Sequence, residues 1–447
     1  MKSKLFYIFI FICSSMNLFG QNNPTEFTYN EFLGYVKKYH PLVKQADLKL
    51  NEAQANLMQA RGAFDPKIEV DFNEKQFKDN QYYSILNSSF KIPTWYGIEL
   101  KAGFDNSEGI YVNPENTIPN SGLTSFGISV PVGQGLFINQ RMADIRKAKI
   151  AQNLNAAERN LQAIEVLYEA SVSYVNWKRS YDEVKLYENY LVNASNRYKG
   201  IEKLISEGDK PAIDSIEAGI VVKTRLLNLE DAKLKLIKAK LELSNYLWLE
   251  NNVPLELKDN LTPEITLSKT IKEVLQINEL NPIDLNNHPK IKALQEDSLK
   301  SRNMANLEDS KRLSSITLSV EYMQNNEQDY GNVTVGIPLP IYKTESINSL
   351  KAKLSANETN DKLDSLIHSF GIQTDIYLNS LNRSAKNYKL IQKEIIPLKQ
   401  KIQQNLESYN SFDMAKPQES ITNLNELITY ETKALDELQK YYESYSQ

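Results

Sequence analysis

Three histidines and one cysteine are the whole imidazole and thiol inventory of this 447-residue chain. His40, His288 and His368 are scattered, and none has a second histidine three or four positions away to share a helix face around a metal. Two stand directly before proline, as His40-Pro41 and His288-Pro289, which suits helix starts better than coordination. Cys13 has no second cysteine for a disulfide or thiolate site. Gly133-Gln134-Gly135 follows a strand-like segment, but no lysine or hydroxyl stands where a phosphate loop needs one, so it reads as a strand-to-helix corner. No serine, histidine and carboxylate fall into an identifiable nucleophilic spacing. The sequence gives no reason to expect catalysis, a cofactor or a metal.

Carboxylates remain. Asp214 and Glu217 stand i, i+3 on one helix face, just after the turn Glu207-Gly208-Asp209-Lys210-Pro211. Glu419 follows a second turn, Phe412-Asp413-Met414-Ala415-Lys416-Pro417, at the matching distance from Asp413. Acidic residues in a first helical turn are stabilised by the helix dipole, by ~0.3–1 kcal/mol. Gathered around a narrow opening they would instead repel one another and favour cations.

The elements that position these groups are unusual. The formal charge is −4 with 24% charged residues, which excludes a basic nucleic-acid surface. Lys2, Lys4 and the apolar run Leu5–Ile12 describe a signal peptide over residues 1–20, and Ile12 before Cys13 argues against a lipid anchor. No other stretch approaches ~20 apolar residues, so a membrane crossing would require a closed β-barrel. Ile68, Val70 and Phe72 alternate with Lys67, Glu69, Asp71 and Asn73, a strand with one greasy and one polar face. Tyr82–Ile92 and Thr94–Phe104 read as further strands, the latter with Ile98, Leu100, Ala102 and Phe104 on one side. Asp105–Gly122 reads as a loop. Tyr82, Tyr83, Trp95, Tyr96, Tyr111 and Tyr322 suit an interfacial aromatic belt.

A strand from Phe126 then feeds a helix from about Asn139 to Ile205, and a strand from Val333 feeds another from about Thr344 to Tyr409. Each is roughly 65 residues, ~100 Å long, far beyond a globular helix. The return helix repeats apolar residues every seven positions, Ile213, Ile220, Leu227, Leu234, Leu241 and Trp248, which implies left-handed supercoiling. Pro397 falls inside the second long helix, with apolar residues on both sides, and reads as a kink rather than a break. The order helix, strands, long helix, turn, helix occurs twice. The expected organisation is a first repeat over 21–250, a linker over 251–285 in which only Ile271–Ile277 looks helical, and a second repeat over 286–447. The expected fold class is mainly α with a strand portion that, in a membrane, would have to form a β-barrel.

With its His-Pro helix starts, its joints Ser129-Val-Pro-Val and Gly336-Ile-Pro-Leu-Pro, its Glu207-Gly208 turn leading to Asp214, and Ile395-Ile396-Pro397-Leu398, the mature chain resembles the TolC-type outer membrane efflux proteins. The resemblance implies a homotrimer in outer membrane lipid that shares one β-barrel and forms a long coiled-coil α-barrel tunnel into the periplasm. It implies a periplasmic adaptor protein and an inner membrane transporter as partners, with Gly208, Asp209, Lys210, Asp413 and Met414 at the contacting tips. It also implies that Glu419 rings a closed entrance, with Asp214 and Glu217 as further gate candidates. Asp413 departs from the glycine favoured there, and the strands between Gln81 and Phe104 exceed two per repeat. The alternative is a periplasmic coiled-coil scaffold or adaptor without a pore, which would have no need for the Ile68/Val70/Phe72 alternation. A tunnel of generic polar residues carries no code for cargo.

Overall fold

The computed structural model describes residues 25–113, 118, 122–133, 138–265, 287–312, 315–324, 329–337, 344–410 and 417–446. The leader with Cys13, the Ile271–Ile277 segment, and the turn holding Asp413 and Met414 lie outside the described residues.

In chain order the elements are β1 (Thr25–Phe27), α1 (Tyr29–Tyr39), α2 (Pro41–Arg61), β2 (Lys67–Phe77), β3 (Asn80–Pro93), β4 (Glu99–Glu108), β5 (Leu123–Gly133), α3 (Gln140–Ser206) and α4 (Ile213–Ser244). There follow β6 (Trp248–Leu249), β7 (Val253–Pro254), β8 (Leu261–Pro263), α5 (Pro289–Ser310), β9 (Ser315–Gln324), β10 (Asp329–Gly336), α6 (Thr344–Leu390), a π turn over Ile391–Ile395, α7 (Ile396–Asn410) and α8 (Pro417–Ser446). The long helix α3 runs for 67 residues without interruption. Two compact units arise from this chain, one within residues 45–162 and 284–371, the other within 1–44, 163–283 and 372–447.

The first unit is built on a six-stranded sheet in the order β10-β9-β5-β4-β3-β2. Every neighbouring pair is antiparallel. The β2–β3 hairpin turns on Lys78 and Asp79, both at positive φ, which matches the strand twist of a tight hairpin. Two strand boundaries differ from the sequence expectation. Thr94–Ile98 is a turn, closed by Thr94 N–H donating to Ile98 O at 2.8 Å, so Ile98 precedes β4 instead of sitting in it. At the other end β4 continues through Asp105–Glu108, because these polar residues keep their ladder with Ser84–Asn87. Local polarity suggested a loop, and cross-strand pairing overrides it.

Helix ends anchor beside the sheet. Asn303 of α5 donates to the Ala143 carbonyl of α3 at 3.1 Å, and Arg141 at the start of α3 reaches Glu99 of β4 at 2.7 Å. Asp309, near the end of α5, accepts from Lys353 and Ser349 of α6 at 2.9 Å each and from Arg312 at 3.2 Å, and these donors hold its carboxyl at about 2.

The second unit is helical, with a core where Tyr29, Phe32 and Val36 of α1 meet Val166, Ala170, Tyr174 and Trp177 of α3 and Leu243 of α4. Thr28 and Glu31 form a reciprocal capping box that starts α1. The Tyr29 amide donates to buried Glu264 at 3.1 Å, and Tyr174 Oη donates to the Phe27 carbonyl at 2.6 Å. These bonds tie the parallel β1–β8 pair to α3. The seven-residue stripe of α4 faces away from this core: Ile220, Leu227, Leu234 and Leu241 are all more than half exposed in the single chain. Trp248 leaves the helix and pairs in β6–β7.

Candidate functional site

Two regions carry chemistry, one in each unit. In the sheet, register puts a largely apolar face across six strands. Ile68 stands beside Phe90, and Phe72 beside Leu86. Phe90 is followed by Ala102, then Phe126, then Tyr322. Ile128 pairs with Val320, and Val320 with Val333. Val70 is 63% exposed and Val333 64% exposed in the single chain, so this face has no protein cover among the described residues. The opposite face is polar. Lys91 pairs with Glu69 at 2.5 Å, and Lys101 reaches Glu321 at 3.8 Å over the intervening strand. Gly127 permits that reach: it is paired with both residues, and a Cβ there would lie 2.5 Å from Glu321 Cγ.

The tip candidates lie in the helical unit. Gly208 has φ +85°, the Asp209 amide donates to Leu204 O at 2.9 Å, and the Gly208 amide donates to Ile205 O at 3.1 Å. That is a glycine-terminated helix end with both orphan carbonyls satisfied. Lys210 then pairs with Asp214 at 3.4 Å. Lys210, Asp214 and Glu217 line a cavity of about 1140 Å³, together with Gln403 and Glu407 of α7 and Ile421 of α8. Glu419 is in the first turn of α8 but does not line this cavity; its neighbour Ser420 is fully buried and accepts from Arg197 at 3.0 Å and Gln403 at 2.9 Å.

Pro397 is the second residue of α7, immediately after the π turn. The Ile396 amide donates five residues back to Ile391 O, so the wide turn absorbs the place where proline cannot continue the α ladder. Ile391 and Ile396 are buried against Tyr190, Leu427 and Ile428.

His40 and His288 are structural. His40 closes α1, is buried and stacks on Tyr246 at 5.9 Å. Burial pushes its imidazole below the ordinary value, opposed by Glu169. His288 Nδ1 accepts from the Lys290 amide at 3.2 Å and caps α5. Sequence reasoning did not single out Arg197 and Arg225, which also line the cavity. Their signal was weak, since a lone arginine in a heptad helix reads as a solvated face.

Comparison with known proteins agrees with this geometry. A family model described as outer membrane efflux protein matches residues 36–247. No curated protein sequence matches the chain. Among solved structures, CusC, described for its folding and transmembrane channel formation, is similar with a TM-score of 0.63 at 14% identity, over 93% of this chain and 90% of that one. The Campylobacter jejuni CmeC outer membrane channel gives 0.62 at 13% identity, over 93% and 84%. The open state of the Neisseria gonorrhoeae MtrE outer membrane channel gives 0.62 at 12% identity, over 93% and 86%. The likeness to these structures is one of fold.

Proposed function

From the premise that the chain belongs, through residues 36–247, to the outer membrane efflux protein family, we propose that it is the outer membrane duct of a tripartite efflux system. Efflux and an outer membrane location follow from the family. The trimer, the closed barrel and the partners are our own reading. The observation that carries it is the largely apolar face that runs across all six strands, opposite a face with Glu69, Lys91, Lys101 and Glu321.

Hydrocarbon tolerates a sheet only when its edges are closed. Among the described residues β2 and β10 are the two edges, and six alternating strands leave them running in opposite directions. Edge β2 of one copy can therefore pair antiparallel with β10 of the next, and repetition closes a barrel with no parallel seam. The exposed apolar stripe of α4 supports the same self-association, because a water-exposed heptad face lacks a partner helix in the single chain. Ile68, Val70 and Phe72 then face lipid, and Glu69, Asp71 and Asn73 face the lumen.

In the helical unit, Gly208, Asp209 and Lys210 form a tip that meets a periplasmic adaptor, which links the duct to an inner membrane transporter; Asp413 and Met414, outside the described residues, are assigned to the same contact from the sequence. Asp214, Glu217 and Glu419 act as an acidic gate, narrowed by the bend at Pro397. The test is fractionation followed by electrophoresis. The protein should sediment with outer membranes and migrate as an oligomer that collapses to monomer on heating. A photocrosslinker at Asp209 should capture an adaptor. Recovery in the soluble periplasm would leave a scaffold instead.

A further inference from the structure

We infer that the cavity between the α3–α4 and α7–α8 pairs of the helical unit binds a small oxyanion, phosphate or carboxylate, between Arg197 and Arg225. The inference does not rest on the duct reading.

Arg225 is only 6% exposed, yet among the described residues its guanidinium donates only to the neutral amide of Asn425, through Nη2 to Oδ1. Arg197 donates through Nη1 to the Ser420 hydroxyl at 3.0 Å. Neither forms an ion pair among the described residues. Each guanidinium carries five N–H donors, so most of both forks is uncommitted. A buried charge without a countercharge is costly.

Arg179, farther along α3, shows what this chain does elsewhere: it meets Glu183 at 2.6 Å and Asp436 at 2.7 Å. Four of the cavity's five carboxylates have partners of their own: Asp182 pairs with Lys178 at 2.6 Å, Asp214 pairs with Lys210 at 3.4 Å, Glu431 accepts from Tyr190 Oη at 2.8 Å and Glu407 accepts from Gln403 at 2.9 Å; Glu217 is the fifth. Burial lowers both arginines below their ordinary range; Glu407 opposes this at Arg197, while Arg225 has only Tyr187 and Tyr190 to do so.

Both arginines line the same cavity. Their anchors Ser420 and Asn425 flank the cavity-lining Ile421 and Leu424 on α8. A small oxyanion bound by charge-assisted hydrogen bonds of ~2.7–2.9 Å would supply the countercharge that Arg225 lacks. The cavity, at about 1140 Å³, has room for it and a hydration shell.

The experiment uses the full chain in detergent, titrated calorimetrically with inorganic phosphate and, separately, with succinate, at constant ionic strength with a chloride control. We expect saturable binding in at least one arm, and the tighter arm identifies the ligand class. Arg225→Gln and Arg197→Gln should each weaken that binding at least about tenfold. Lys233→Gln, on α4 outside the cavity and paired with Glu230 at 2.8 Å, should leave it unchanged. Should Arg225→Gln fail to fold, Arg197→Gln decides alone. Absence of saturable binding in both arms, or equal affinity in Arg197→Gln and the parent, overturns the inference.

Discussion

Replacing Val70 by arginine separates a lipid-facing sheet from a soluble one, and Asp71→Arg is its built-in control. Val70 lies between Ile68 and Phe72 on the apolar face, with Phe90 and Leu86 diagonal to it on β3, and no described side chain covers it. Four residue steps from Ile68 to Phe72 cover ~14 Å of strand, so Val70 sits at the centre of its apolar band on β2. An arginine on a lipid face costs ~2–4 kcal/mol at the membrane midplane and ~0–1 near the interface. At 1.4 kcal/mol per decade, the midplane cost is a ~30- to 700-fold shift away from the inserted state for each copy. Asp71 occupies the opposite face, where a longer cation meets water and the neighbouring Glu69, and the expected cost is below ~1 kcal/mol. The assay is the fraction of heat-modifiable oligomer in isolated outer membranes, with total protein measured in parallel. Val70→Arg should abolish most of it and Asp71→Arg should leave most of it. Equal assembly of the two variants refutes the assignment of faces.

Other expectations follow from the helical unit. Gly208→Val forces a β-branched residue to φ near +85°, which should destabilise the turn by about 1–2 kcal/mol and speed tryptic cleavage after Lys203, while Gly208→Asn should be tolerated. His40 is buried neutral with its imidazole pushed below 6.5, so its contribution to stability is complete above 6.5 and is lost as pH falls from there towards the depressed folded value. Thermal melts should therefore fall with acidification, and His40→Gln should flatten that slope; an unchanged slope assigns the acid sensitivity to other groups. Asp214→Ala with Glu419→Ala should weaken block of single-channel current by trivalent cations added from the periplasmic side. Identical block would make these carboxylates helix starts only.

Much of the architecture was legible because the periodicities are long. The 67 residues of α3 carry no proline and a single glycine, Gly200, and Lys67–Asn73 alternates without a fault. Strand ends were harder. Ile98 continues the apolar alternation of Leu100 and Phe104, yet the bend around Gly97 takes it out of β4, while Asp105–Glu108 is held in the sheet by Ser84–Asn87. Both outcomes depend on a partner strand, which alternation within one segment cannot specify. The cavity was illegible for a related reason. Arg225 and Asn425 are 200 positions apart and meet only because α4 and α8 pack together. The π turn before Pro397 was likewise hidden, since the sequence marks where a hydrogen bond is lost but not how the preceding turn widens to absorb it.

Conductance of the purified full chain across a planar lipid bilayer tests the duct most directly. The account predicts discrete current steps from an inserted oligomer, absent for Val70→Arg and retained for Asp71→Arg. A chain that stays monodisperse in water without detergent and passes no current would contradict it.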